Sequence, residues 1–105
     1  MAKGMGNMMK EAQKLQSKIF KLQEEMADKT VETTVGGGMI RAAANGKQEL
    51  TSIKIDPEVV DPNDVAMLED MILAAVNDAL NKAKEMVSQE MTKLAGGFNL
   101  PQGLL

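Results

Sequence analysis

The spacing of apolar residues near the start of this chain limits its fold more than any other feature. Met5, Met8, Ala12, Leu15, Ile19, Leu22 and Met26 recur at intervals of 3, 4, 3, 4, 3 and 4. That is the a/d seam of a heptad pattern, and it predicts one long amphipathic helix from about Asn7, which caps it, to Asp28. A helix of roughly 22 residues is ~33 Å long whereas a seven-residue strand covers ~23 Å, so the helix must overhang any small sheet it packs on. The overhanging seam needs a cover. A 105-residue chain buries only ~65% of its unfolded surface, so its own core is thin; a second long helix of the same chain could supply the cover, but its two-sided first half needs a further surface as well, and a second copy is the simplest way to bury both.

From Thr30 the period changes to two. Val31, Thr33 and Val35 share one strand face, and Glu32 and Thr34 the other. Gly36-Gly37-Gly38 breaks the run. A second run, Met39 to Ala44, ends at Asn45-Gly46, a hairpin signal whose two turn residues are expected at positive φ. A third, Glu49 to Ile55, alternates Thr51, Ile53 and Ile55 against Leu50, Ser52 and Lys54. Together they predict a three-stranded antiparallel meander with one apolar face and one face carrying Glu32, Arg41 and Lys54. Ala42-Ala43-Ala44 fits this least well, because alanine prefers helix to sheet. Asp56-Pro57 and Asp61-Pro62 punctuate a connection, and Asp61, Pro62 and Asp64 read as the start of a second helix reaching about Leu94. Its first half is apolar nearly all round apart from Glu69 and Asp70. Its second half narrows to Leu80, Ala83, Val87, Met91 and Leu94, with Gly96-Gly97 after it. The expected fold class is α+β: an α-β-β-β-α protomer over residues 1–95, paired in an intertwined homodimer, with a flexible Gly/Pro-containing tail over 96–105.

Composition excludes most chemistry. With no histidine, cysteine, tyrosine or tryptophan, the commonest general base, the thiol nucleophile and every Cys/His metal cage are missing. The glycine triplet fails the dinucleotide fingerprint, because Arg41 stands where its last glycine is needed, and Gly46-Lys47 fails the P-loop pattern, with Arg41 in place of its first glycine and Gln48 in place of Ser or Thr. Asp56, Glu58, Asp61 and Asp64 lack the glycine and closing glutamate of a calcium loop, and they read as turn and helix caps. The adjacent acids Glu24/Glu25 and Glu69/Asp70 leave a helix about 100° apart and form no catalytic pair. Neither an enzyme nor a cofactor, metal or small-molecule substrate is expected. No apolar run approaches the ~20 residues of a membrane span and the start has no signal-peptide pattern, so a cytoplasmic location is expected. The ten methionines read mostly as gap-filling core.

The net charge of −3 is unevenly spread. Residues 1–29 carry six lysines against four acids, whereas residues 56–105 carry three lysines against nine acids. At 100° per residue, Lys10, Lys14, Lys18 and Lys21 fall within about 80° of arc, opposite the heptad seam. Such a stripe is either a solvated helix face or a surface whose ammonium groups meet phosphates and release their counterions.

The segments "GNMMKEAQKLQSKI", "GGGMIRAAANGKQELTSIKIDP", "MLEDMILAAVNDALNKAKE" and "AGGFNLPQGLL" resemble, in this order and at these separations, the bacterial YbaB/EbfC family of nucleoid-associated proteins. The resemblance covers nearly the whole chain. Its most specific parts are Gly37-x-x-x-Arg41 to Asn45-Gly46, Ile53-Lys54-Ile55-Asp56, and Leu68-Glu69-Asp70 followed by Ala74-Ala75-x-Asn77-Asp78-Ala79. It implies a homodimer with helical arms projecting like tweezers, which binds double-stranded DNA in the nucleoid, alters its conformation and influences gene expression. Carried over by position, the implied DNA-binding residues are Lys10, Lys14, Lys18, Lys21, Arg41, Lys47, Lys54, Lys82 and Lys84. The dimer interface is expected at Leu15, Ile19, Leu22, Ile53, Ile55, Leu68 and Ile72. Ala42-Ala43-Ala44 departs from the family, where β-branched residues are usual. Two functions follow: a DNA-binding homodimer acting mainly on backbone phosphates, and, as the alternative, a coiled-coil protein-interaction or holdase module with methionine-rich arms. Replacing Lys14 and Lys18 by glutamate separates them, since only the first needs those charges.

Overall fold

A computed structural model of the protein describes residues 2–97, with side chains from residue 6 to residue 96. The order of elements is α1 (Ala2–Ala27), β1 (Thr30–Val35), β2 (Ile40–Asn45), β3 (Leu50–Ile55), a single 3-10 turn at Pro57–Val59, and α2 (Val65–Gly97). This is the α-β-β-β-α protomer expected from the periodicities. The strands form one antiparallel sheet in the order β1-β2-β3.

The core lies between the sheet and α2, and it is built from small residues. Ala75, Ala79 and Ala83 form a buried i, i+4, i+8 stripe on α2 and pack on Ile40, Ala42 and Ala44 of the central strand. Ile40 is the largest fully buried side chain. Methyl against methyl lets a helix approach a sheet closely, which explains why the central strand carries alanines despite their weak strand preference. Tertiary packing overrides propensity here. Around this stripe Val31, Val35, Ile55, Val59, Leu68, Met71, Ile72 and Leu80 are partly buried. The Thr33 hydroxyl donates to the Ala75 carbonyl at 3.1 Å, fixing β1 to the helix.

Several boundaries differ from the sequence reading. Asn7 does not cap α1, which continues N-terminally through Gly6 and Gly4 to Ala2. Pro62 does not open α2. Asp61 closes a turn by accepting from the Asn63 amide at 2.9 Å, and Asp64 is the cap, accepting from the Met67 amide at 3.2 Å. Gly96 and Gly97 belong to α2 rather than following it. The rest of the expected tail, 98–105, lies outside the described residues.

The β2–β3 turn also differs. Neither Asn45 nor Gly46 has positive φ; that conformation falls on Gln48, at 59°. The Asn45 side chain organises the turn, its Oδ1 accepting from the amides of Lys47 (2.9 Å) and Glu49 (3.1 Å). Gly46 is needed for space. Its amide donates to the Met26 carbonyl at 2.9 Å, and a β-carbon there would run into that carbonyl. The glycine joins the hairpin to the end of α1. By contrast, Gly36, Gly37 and Gly38 have φ of 63°, 70° and 91°, a left-handed series that other residues rarely adopt. A register shift at Ala43/Ala44 sets Leu50 opposite buried Ala44, where strict alternation had put Leu50 on the polar face.

Beyond the sheet the two helices make an arm. α1 ends at the β2–β3 turn, and α2 leaves the sheet at the same end, where Lys82 reaches Glu32. The second half of α2 therefore runs antiparallel to α1. The molecule measures 74 × 23 × 17 Å, with a radius of gyration of 19.9 Å. A compact chain of this length would have a radius near ~13 Å.

Candidate nucleic-acid interface

The arm carries the most continuous basic surface. Lys10, Lys14, Lys18 and Lys21 are all exposed on α1. The opposite face of the same helix holds Leu15, Ile19 and Leu22, half-buried, and Met26, buried. From Leu15 to Met26 the heptad seam turns toward α2 and thereby fixes which way the lysines point, whereas its earlier members Met8 and Ala12 are exposed. From Lys10 to Lys21 the stripe runs ~16 Å, close to five base steps of a DNA strand. Its lower part borders a shallow groove of about 390 Å³ between the helices, lined by Lys18, Lys21, Leu22, Glu25, Glu90, Lys93 and Leu94. Lys93 is paired there with Glu90 at 3.4 Å. Lys10 and Lys14 stand clear of that groove.

A second basic spot lies on the sheet face turned away from α2. Arg41 and Lys54 are directly opposed on β2 and β3. Glu32 approaches the Arg41 guanidinium at 3.9 Å, with both side chains more than half exposed, so the pair contributes little to stability. Lys47 is exposed at the β2–β3 turn, and Lys84 on α2. Lys82 is engaged within the fold, its ammonium donating to the Glu32 carbonyl at 2.9 Å. The groove around it, about 470 Å³, is also lined by Glu32, Asp78 and Glu85. Three carboxylates beside one engaged lysine repel phosphate. The structure therefore brings the four α1 lysines together, sets Arg41 and Lys54 on a separate surface, and leaves Lys82 among acids.

The apolar residues expected between copies divide in the same way. Ile55, Leu68 and Ile72 pack against their own core, and Leu15, Ile19 and Leu22 are half-buried in the seam. Ile53 is 36% exposed. Also exposed, and not among the residues expected between copies, are Leu50, Val60, Val65, Met67 and Leu73, the last at 60%. Also missed were Met9 and Phe20, exposed at 63% and 64% on α1. The available signal was that both fall off the 3-4 spacing of the seam. Among the described residues no helix is long and apolar enough to cross a membrane.

Comparison with known proteins agrees with this geometry. Residues 1–98 match the YbaB/EbfC DNA-binding family. A nucleoid-associated protein of Caldanaerobacter subterraneus is 60% identical over 95 residues, covering 90% of this chain and 86% of its own. Another, from Pelotomaculum thermopropionicum, is 54% identical over 101 residues and covers 96% of both chains. The crystal structure of an uncharacterized protein from Helicobacter pylori superposes with a TM-score of 0.60 at 23% identity, over 83% of this chain and 96% of that one, and so shares the fold. The family model is described as DNA-binding, and both of the relatives named here carry the name nucleoid-associated protein. This chain is a member of the YbaB/EbfC DNA-binding family.

Proposed function

We propose that two copies of this chain form a homodimer that grips double-stranded DNA with its helical arms, mainly through backbone phosphates. Binding changes the path of the duplex and so influences nucleoid organisation and gene expression in the cytoplasm. The observation that carries the reading is the exposed stripe of Lys10, Lys14, Lys18 and Lys21 on a projecting helix, in a chain that is otherwise acidic. Each ammonium acts as a point charge on a phosphate, and the release of condensed counterions drives association. With a single arginine in the chain, bidentate guanine reading has little to work with, and strong sequence discrimination is not expected.

The dimer is supported by exposed area. The chain exposes 7719 Å², whereas a compact protein of 11.3 kDa exposes roughly 5,700 Å². The excess is larger than the ~800 Å² that each partner contributes to a standard interface. Part of that excess is apolar, at Leu50 and Ile53 on β3 and at Val65, Met67 and Leu73 on the first half of α2. The two sheet edges are also unequal. Lys82 caps a carbonyl of edge strand β1, while edge strand β3 has no such guard among the described residues. The second copy therefore joins at β3.

The test is a gel shift with duplex DNA on the wild type and on Lys10→Glu with Lys14→Glu, alongside light scattering. These two lysines lie away from α2, so the fold and the dimer mass should persist while duplex binding is lost. A wild type that ignores duplex DNA in dilute buffer, or a double variant that binds as well as wild type, would refute the phosphate mechanism. A monomer mass at micromolar concentration would refute the dimer.

A further inference from the structure

The lysine stripe and the apolar seam do not account for the whole of α1. At 100° per residue, Met9, Gln13, Gln16 and Phe20 fall within an arc of about 60° lying between the two. All four are exposed, Met9 at 63% and Phe20 at 64%. The remaining helical positions in that arc are Ala2 and Ala27, so it contains no charge. A helix side meant only for solvent would be filled with lysine and glutamate, which suit helices better than phenylalanine. Instead the one aromatic side chain among the described residues stands free there, beside two amides.

The flank fits a duplex. Lys10 and Lys21 stand about 80–100° round the helix from Phe20, the angle that separates the wall of a groove from its floor. With those ammonium groups on phosphates, the neutral flank turns toward base edges. There a phenyl ring has apolar surface to meet, and glutamine amides have donors and acceptors to pair with. Apolar side chains in this setting unstack a base step and bend the duplex. Resting on the proposed DNA-binding function, we infer that Phe20 is a base-contacting wedge: the lysines of α1 hold the phosphate backbone while the Phe20 ring presses on the base stack, flanked by Gln13 and Gln16.

The sequence offers a clean probe. With no tryptophan or tyrosine in the chain, Phe20→Trp carries a single strong fluorophore at the point in question. Its emission should be quenched by a duplex oligonucleotide and left unchanged by inorganic polyphosphate, which supplies the charge without the bases. A control tryptophan at Asn81, in the groove lined by Glu32, Asp78 and Glu85, should respond to neither. Phe20→Ala should weaken duplex binding by roughly tenfold, the scale of one aromatic–base contact. It should keep the wild-type salt dependence, because no charge is removed, and the wild-type mass and helix content; Phe20→Leu should fall between. Phe20→Ala binding as tightly as wild type, or Phe20→Trp emission indifferent to the duplex, would overturn the wedge while leaving the phosphate reading intact. A changed mass for Phe20→Ala would also overturn it, making Phe20 a contact between copies. If the wild type itself fails to bind duplex DNA, the underlying reading falls first.

Discussion

The body and the arm of this molecule solve opposite problems. In the body, small residues meet at close range: Ala75, Ala79 and Ala83 against Ile40, Ala42 and Ala44, with almost no large side chain fully buried. In the arm, large side chains are left in the open, with Met8 at 73% exposure, Met9 at 63% and Phe20 at 64%, beside a lysine stripe. Close packing sets the body and tolerates no added volume. The arm holds its shape through one seam and keeps two further faces for partners. On the proposed function, protomer stability and DNA binding are carried by different residues, and substitutions should separate between them.

The largest effect is expected in the arm, on binding alone. Replacing Lys10, Lys14, Lys18 and Lys21 together by glutamine should lower duplex affinity by roughly two to three orders of magnitude in dilute salt, read by anisotropy. The melting temperature should hardly move, because exposed surface charges contribute little to stability. The body should respond in the opposite sense. Ala79→Leu drives a larger side chain into the alanine layer and should cost about 2–3 kcal/mol, or roughly 10 °C or more in Tm by circular dichroism. An Ala79→Leu protein as stable as wild type would mean that the helix–sheet layer is looser than described.

The exposed apolar surface of the body is probed next. Ile53→Asp with Leu73→Asp places charges in the exposed apolar area of β3 and α2. It should weaken self-association by about tenfold or more, read as concentration-dependent mass by light scattering, without unfolding the protomer. The smallest effect belongs to Glu32→Gln. Its ion pair with Arg41 is open to water, so denaturant unfolding should shift by less than about 0.5 kcal/mol.

The two regions also differ in how far the sequence revealed them. The seam of α1 and the alternation of β1 were legible because burial imposes a period of 3.5 or 2 on large apolar side chains. The alanine layer was not. Alanine contributes weakly to any hydrophobic pattern, and Ala42-Ala43-Ala44 speaks against a strand unless the facing stripe on α2 is already known. At the β2–β3 turn, the identity of Gly46 was informative for a reason other than the one its neighbourhood suggested: it clears the Met26 carbonyl, whereas the positive φ falls on Gln48. Helix starts went astray for a related reason, since Asp61, Pro62 and Asp64 all look like caps and only hydrogen bonding separates the turn at Asp61 from the cap at Asp64. For the candidate interface, the lysine stripe was visible as a periodicity. The engagement of Lys82 and the exposure of Phe20 were not, because each depends on which helix faces meet in space.

The most direct test of the central claim, that the outer face of α1 meets DNA through backbone phosphates, is the salt dependence of duplex affinity for the wild type and for the four-lysine glutamine variant. The wild type should lose at least roughly tenfold in affinity between 50 and 200 mM salt, with a steep log–log slope, and the variant should show a much shallower one. Equal slopes, or a wild-type affinity indifferent to salt, would contradict the account.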